Sequence, residues 1–299
     1  MSIAPEPINE GDLIYITAPA KAIEAEYLEF AQEFLQKKGF RVLLSEHCGG
    51  RSHYFSGTDE ERMKDLQFGL DHEEVKAILC ARGGYGCVRI VDSLEWAGML
   101  RQPKWLIGFS DITVFHQRLQ RFGIQSIHGT MVLNLPKNSN EALETFINAI
   151  TGTEYSIEFS AHKENKNGVS SGELVGGNLS ILYSLLGTDD QIDYSGKILF
   201  IEDLAEHIYH IDRMLYAFKK CGVFENISGL LVGGMTDLED TDVAFGKSVE
   251  EIIREQLTYR NIPVAFGFPA GHIEDNRALI LGRKSTLSVN NDACTIKWL

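Results

Sequence analysis

The sequence predicts an α/β protein, with a helix-flanked parallel sheet in the first half of the chain and a mixed sheet in the second. Three observations carry this expectation. Short apolar runs alternate with helical stripes through the first half, a polar stretch over 151–171 interrupts the pattern, and strands close the chain after the last helical stripe. At 299 residues the chain also exceeds the size at which one core usually stops growing. Two domains are therefore expected, 1–150 and 172–299, joined by a linker over 151–171.

Residues 12–18 form a β-rich run ended by Pro19, and 24–38 carry the apolar stripe Leu28, Ala31, Phe34 and Leu35, stopped by Gly39. This is a strand followed by a helix. A second strand covers 41–44. Thr58 and Glu61 have the spacing of a capping box, in which hydroxyl and carboxylate each take a backbone N–H at the start of a helix reaching about residue 71. Strand 76–81 runs into the glycine turn Gly83-Gly84-Tyr85-Gly86, which leads to a helix through Trp96. Strand 105–108, helix 110–122, strand 124–128 and helix 141–150 complete the alternation. Such repetition places ligands at the carboxyl ends of parallel strands. Beyond the polar stretch, Gly176-Gly177-Asn178 opens a helix, followed by strand 197–201, helix 207–220, strand 229–232, helix 247–258 and strand 264–268. Two terminal strands, 278–281 and 293–298, approach a meander around Asn290-Asn291-Asp292, which makes the second sheet mixed.

Composition excludes several functions. The 28 Lys and Arg against 42 Asp and Glu leave a net charge of −14, a field that repels nucleic-acid backbones and anionic lipid surfaces. Neither nucleic acid nor a membrane is expected as a partner. The five cysteines, Cys48, Cys80, Cys87, Cys221 and Cys294, are scattered and form no C-x-x-C, which argues against a disulfide framework or a zinc knuckle. The first ten residues lack a basic start and an apolar core, and no apolar run approaches the ~18 residues that span a bilayer. A cytoplasmic location is expected.

The sharpest local feature is Ile107-Gly108-Phe109-Ser110-Asp111, where a strand ends and a helix begins. A serine there presents its hydroxyl at the carboxyl edge of the sheet, beside N–H groups that can hold an oxyanion. The segment departs from G-x-S-x-G, since Ile112 replaces the second glycine, so the common α/β-hydrolase fold is not indicated. Ser110 or Asp111 acting as a plain helix cap is the other interpretation. A serine nucleophile needs a base and a group that orients it. Among nine histidines, His272 is best placed, closing Phe268-Pro269-Ala270-Gly271-His272 after an apolar strand; an exposed loop histidine is the alternative. Glu202 and Asp203 follow the apolar run 198–201, where a carboxylate is paired or functional, or else caps the next helix.

In Arg82-Gly83-Gly84-Tyr85-Gly86, backbone N–H groups suit an oxyanion or a carboxylate. The last glycine of a dinucleotide fingerprint and the Lys-Ser/Thr of a P-loop are both missing, so no nucleotide cofactor is expected. Arg82 and Gly83, with Gly177 and Asn178 of the second glycine cluster, are candidates to line a substrate. His207 and His210, near Glu206 and Asp212, lack the H-E-x-x-H pattern and are expected on a solvated helix face, so no metal site is assigned.

Taken in order with Gly11-Asp12, Ala18-Pro19, His128-Gly129 and Ile211-Asp212-Arg213-Met214-Leu215, these segments resemble the LD-carboxypeptidase family nearly end to end. These are serine peptidases that include muramoyltetrapeptide carboxypeptidase and the microcin C immunity proteins. The resemblance implies a Rossmann-like N-terminal domain, a swivelling C-terminal β-domain, a site between them and a homodimer. It implies a Ser-Glu-His triad on Ser110, Glu202 and His272, an oxyanion hole from the backbone N–H groups of Gly84 and Asp111, and no cofactor. The implied substrate is a small peptide, the cytoplasmic murein tetrapeptide of cell-wall recycling, cut before its terminal D-alanine. Two rivals stand beside it. An immunity-type hydrolase of peptidyl- or aminoacyl-nucleotide conjugates would need an aromatic side chain from a longer insertion, and 151–171 holds only Tyr155 and Phe159. A two-domain binding protein would close over its ligand without chemistry.

Overall fold

In a computed structural model describing residues 2–299, the chain forms two compact units. One comprises the residues up to Glu154 together with Glu274–Ile280, and the other Tyr155–Ile273 with Leu281–Leu299.

The first unit alternates β1 (Leu13–Thr17), α1 (Ala25–Lys37), β2 (Arg41–Leu44), α2 (Asp59–Asp71), β3 (Val75–Cys80), α3 (Ala97–Arg101), β4 (Trp105–Gly108), α4 (Thr113–Arg121), β5 (Ser126–His128) and α5 (Asn140–Thr151). The strands stand in the order β5-β4-β3-β1-β2 with every pair parallel, and a sixth strand, Leu279–Leu281, extends the sheet beside β5. Strands β1 and β4 are buried along their whole length, as unbroken apolar runs between two helical layers should be. The strand order reverses between β1 and β3. At such a switch point the loops leaving the two carboxyl ends diverge and open a crevice. The capping box of Thr58 and Glu61 forms as read, starting α2 at Asp59. The helix expected after the glycine turn does not form in one piece. Two 3₁₀ turns, Cys87–Arg89 and Val91–Ser93, precede the short α3, because Arg89 and Ile90 close i→i+3 bonds onto Gly86 and Cys87 and hold the chain against the turn.

The second unit contains β6 (Ser156–Ser160), β7 (Gly168–Asn178), α6 (Leu179–Ser184), β8 (Ile198–Leu204), α7 (Ile208–Lys220), α8 (Val223–Asn226), β9 (Gly229–Thr236), α9 (Val249–Gln256) and β10 (Val264–Ala265). With Leu279–Leu281 counted as β11, it closes with β12 (Lys284–Val289) and β13 (Ala293–Trp298). The sheet order is β10-β9-β8-β7-β12-β13-β6. Pairing is parallel from β7 to β10 and antiparallel from β7 through β12 and β13 to β6, so the sheet is mixed. Leu199 and Ile201 of β8, Ile211, Leu215 and Phe218 of α7 and Ile252 of α9 belong to one buried cluster.

Two expectations fail here. Stretch 151–171 is not a linker: Thr151 ends α5, Ser156–Ser160 pairs with β13, and Gly168 begins β7. Its polar residues alternate with Ile157 and Phe159, which are buried, so one face of β6 is apolar. The partner of β13 across Asn290-Asn291-Asp292 is β12, whereas residues 279–281 lie in the first sheet. Among the described residues no helix is long and apolar enough to cross a membrane.

Candidate active site

In the first unit the candidate residues gather around the end of β4. Ser110 has φ +62°, a left-handed conformation that costs a residue with a Cβ roughly 1–2 kcal/mol and persists only where the surroundings enforce it. Buried His116 anchors the end of β4 two residues earlier. Its Nε2 lies 2.9 Å from the Gly108 carbonyl and its Nδ1 2.8 Å from Ser126 Oγ, and burial pushes the ring down to about 4, so it binds as a neutral donor and acceptor. Ser110 is not a helix cap, because Phe109 occupies the cap position of the 3₁₀ turn Ser110–Ile112 and no side chain caps it. Asp111 is not a cap either. Its buried Oδ2 accepts the Cys87 N–H at 2.8 Å, and burial raises its carboxyl above the ordinary range against the pull of that bond.

The glycine turn is thereby tied to the serine. A Cβ on Gly83 would stand 3.0 Å from Ser110 Cβ, 3.2 Å from its Oγ and 3.3 Å from the Asp111 nitrogen, so glycine is what lets the turn approach this closely. From the other side Arg62 grips the same turn. This fully buried residue of α2 donates to the carbonyls of Gly86 (3.1 Å) and Pro19, pairs with Asp59 and stacks over the Phe55 ring. Arg62 is not among the residues expected from the sequence. Its signal was the spacing of Arg62, Leu66 and Gly69, which puts a charge on the buried stripe of α2. Arg82 donates to the Ala22 carbonyl at 3.2 Å.

In the second unit β8 carries Glu202, fully buried, with Oε2 2.7 Å from His272 Nδ1. The carboxylate accepts, so Nδ1 donates. Burial alone would lower the His272 pKa; the Glu202 charge and hydrogen bond, with the Asp203 charge, outweigh it and leave the pKa raised. Gly271 permits the contact. It has φ +108°, and a Cβ there would sit 2.7 Å from Glu202 Oε2. Asp203 does a different task. It accepts from Asn178 Nδ2 at 3.0 Å and from the Ser180 N–H at 2.9 Å, while Asn178 Oδ1 caps α6 through the Ile181 N–H at 3.1 Å. Burial raises Asp203 to about 7 against the Leu204 N–H, with the Glu202 charge adding to the rise.

Gly177 and Asn178 end β7 opposite Ile201 and Glu202, so the second glycine cluster is a strand terminus with Asn178 as cap of α6. His210 pairs with Glu206, and His207 stands at the N-cap of α7. Among the described residues no group of His, Cys, Asp and Glu is arranged to hold a metal.

The two-unit α/β fold is that of a carboxypeptidase-type hydrolase family. Residues 14–129 match the LD-carboxypeptidase N-terminal domain and residues 171–287 the LD-carboxypeptidase C-terminal domain, and the chain belongs to this family. Among its relatives is a probable murein peptide carboxypeptidase of Bacillus subtilis, 33% identical over 99% of this chain and 95% of that protein. The crystal structure of muramoyltetrapeptide carboxypeptidase from Oxalobacter formigenes superposes with a TM-score of 0.87 at 29% identity, covering 96% of this chain and 98% of that one. The microcin C7 self-immunity protein of Escherichia coli is 26% identical over 97% of this chain and 94% of its own.

Proposed function

We propose that this protein is a serine-type LD-carboxypeptidase that releases the terminal D-alanine of murein tetrapeptide by cutting its bond to the preceding L-configured centre. Ser110 is the nucleophile, His272 the base, Glu202 the acid that holds the base, and the N–H groups of Gly84 and Asp111 are the oxyanion donors. Arg82, Gly83, Gly177 and Asn178 line the substrate. Support rests first on the Glu202–His272 bond of 2.7 Å, since a buried carboxylate on Nδ1 fixes the tautomer in which Nε2 accepts a proton. The left-handed Ser110 at the end of β4 has the strained strand-to-helix geometry of a nucleophile elbow.

In this scheme His272 takes the Ser110 proton as Oγ attacks the scissile carbonyl, and the oxyanion rests on the two N–H groups. His272 then protonates the leaving amine of D-alanine. A water, deprotonated by the same ring, releases the shortened peptide from Ser110. The enzyme acts in the cytoplasm as a homodimer, and sedimentation measures the latter. The deciding experiment compares three peptides: the tetrapeptide ending in D-alanine, its L-alanine analogue and the pentapeptide ending in D-Ala-D-Ala. A handed pocket that seats a carboxylate and a methyl group should favour the first by at least about a hundredfold. Ser110→Ala should lose on the order of 10⁶ in rate while keeping its fold. Equal rates on the D- and L-terminated tetrapeptides overturn the assignment.

A further inference from the structure

A carboxypeptidase must hold the free carboxylate of the residue it releases, and the segment after β1 supplies an uncommitted cation beside the glycine turn. Lys21 follows β1 at the switch point of the sheet, and its N–H donates to the Gly83 carbonyl at 3.3 Å. The same segment is laced to residues 54–56 by the Ala22 N–H on the Tyr54 carbonyl and the Ser56 N–H on the Ala20 carbonyl, both at 3.2 Å. The backbone of Lys21 is therefore held on both sides. Its side chain lies along the turn: a Cβ on Gly84 would stand 3.1 Å from Lys21 Cβ and 2.9 Å from the Tyr54 hydroxyl. The ammonium sits 4.9 Å from the centre of the Tyr54 ring.

Other cations around this turn are engaged. Arg62 donates to the carbonyls of Pro19 and Gly86 and pairs with Asp59, Arg89 forks onto Asp59, and Arg82 donates to the Ala22 carbonyl. Half-buried Lys21 makes no ion pair among the described residues. In a chain of net charge −14, an anionic ligand needs such a local cation.

From the carboxypeptidase assignment above, on which this rests, we infer that the Lys21 ammonium and the Tyr54 hydroxyl form the subsite for the substrate's terminal α-carboxylate. The scissile carbonyl on Ser110 and that carboxylate are separated by a single residue of the leaving group. Gly83 and Gly84 span the same one-residue interval: a Cβ on the first would meet Ser110, and one on the second would meet Lys21 and Tyr54.

The test measures kcat/KM of wild type, Lys21→Met, Lys21→Arg and Tyr54→Phe on the D-alanine-terminated tetrapeptide and on the same peptide as its C-terminal amide. Thermal melting of each variant accompanies the kinetics. Wild type should prefer the free acid by about tenfold to a hundredfold, the range of a hydrogen bond to a charged group. Lys21→Met should abolish that preference by slowing the acid alone, Lys21→Arg should keep most of it, and Tyr54→Phe should reduce it in part. A Lys21→Met enzyme that loses the same factor on acid and amide overturns the subsite. So does a wild type indifferent to amidation, which leaves the peptidase assignment standing. Cleavage of neither peptide by wild type removes the assignment and the subsite with it.

Discussion

At the scale of single residues, two adjacent carboxylates on β8 divide the work. Glu202 and Asp203 lie at a register irregularity near the end of β8, where Glu202 reaches His272 and Asp203 reaches Asn178 and the start of α6. This adjacency left the orienting acid open in the sequence, because both residues follow the same apolar run and nothing in the spacing says which one meets the histidine. Glu202→Gln should cost roughly 10³–10⁴ in kcat, as loss of the orienting acid does in other triads. Asp203→Asn loses one of these bonds, because Asn178 and Ser180 donate to different carboxylate oxygens and an amide has only one, but the loss falls at the start of α6 and not on His272, so the rate should stay within about tenfold of wild type. Steady-state kinetics of the two variants decide between them, and the reverse ranking refutes the assignment. The acid limb of the pH profile gives a second check. A base must be neutral, and the raised His272 pKa keeps the ring charged to higher pH than its ordinary 6.5, so kcat/KM should begin to fall above that value as pH is lowered. In Glu202→Gln the anion that favours the charged ring is gone, so the residual activity should show its acid limb at lower pH.

At the scale of elements, much of the first unit was legible because a parallel strand covered on both faces reads as an apolar run and its helices carry clean stripes. Arg41–Leu44 and Trp105–Gly108 match their expected ranges, and α1, α2 and α5 agree to within a residue or two. Lost were the strands whose exposed faces are polar. Ser156–Ser160 and Lys284–Val289 alternate one buried side chain with one that is not, over only five or six residues rich in Ser, Glu and Lys. A polar loop has the same composition. Equally illegible was the left-handed Ser110, since no residue type there demands a positive φ, and its neighbours, the Gly108 carbonyl held by His116 and the close-lying Gly83, come together only in the fold.

Because Arg62 and Asp111 pin the glycine turn, it cannot withdraw from an added methyl group. Gly83→Ala should therefore displace Ser110 rather than the turn, lowering kcat at least tenfold while thermal stability falls by about 1–3 kcal/mol, the usual penalty of overpacking. A Gly83→Ala enzyme with wild-type kcat would show that the turn moves instead. Asp203 gives an expectation about α6 and pH. Its carboxyl is pushed up to about 7 in the folded state and titrates near 3.8 when unfolded. Between those values the folded chain binds more protons, so this group's contribution to stability falls as pH rises from about 4 to 7. Asp203→Asn removes that term. Melting curves across this window should show the variant losing less stability than wild type as pH rises, and parallel curves would contradict the raised carboxyl.

At the scale of the whole chain, the path of residues 274–280 matters more than the expected domain boundary. The chain leaves the first unit after Glu154, builds most of the second, and then returns Glu274–Ile280 to the first before completing the second sheet. His272 stands two residues before that return. No single cut separates the units, a feature hidden in sequence because Leu279–Leu281 is too short to declare which sheet it joins. The returning segment supplies specific partners. Glu274 carbonyl accepts from the Ser139 N–H at 3.0 Å and from Asn138 Nδ2 at 2.8 Å, Asp275 accepts the Ser139 hydroxyl at 2.7 Å, and the Ala278 N–H donates to Thr145 at 3.0 Å. The strand itself covers the open side of β5. A fragment ending at Glu154 should consequently expose an edge strand and strip the first turn of α5 of its anchors, both of which promote aggregation. Expressed alone, it should be less soluble than the full chain and unfold at lower urea. Supplying a peptide of residues 272–283 in trans should raise its midpoint in a concentration-dependent way, as any ligand that binds only the folded form does. A fragment as stable as the full chain, with no response to the peptide, would show that the first core is complete without the returning strand.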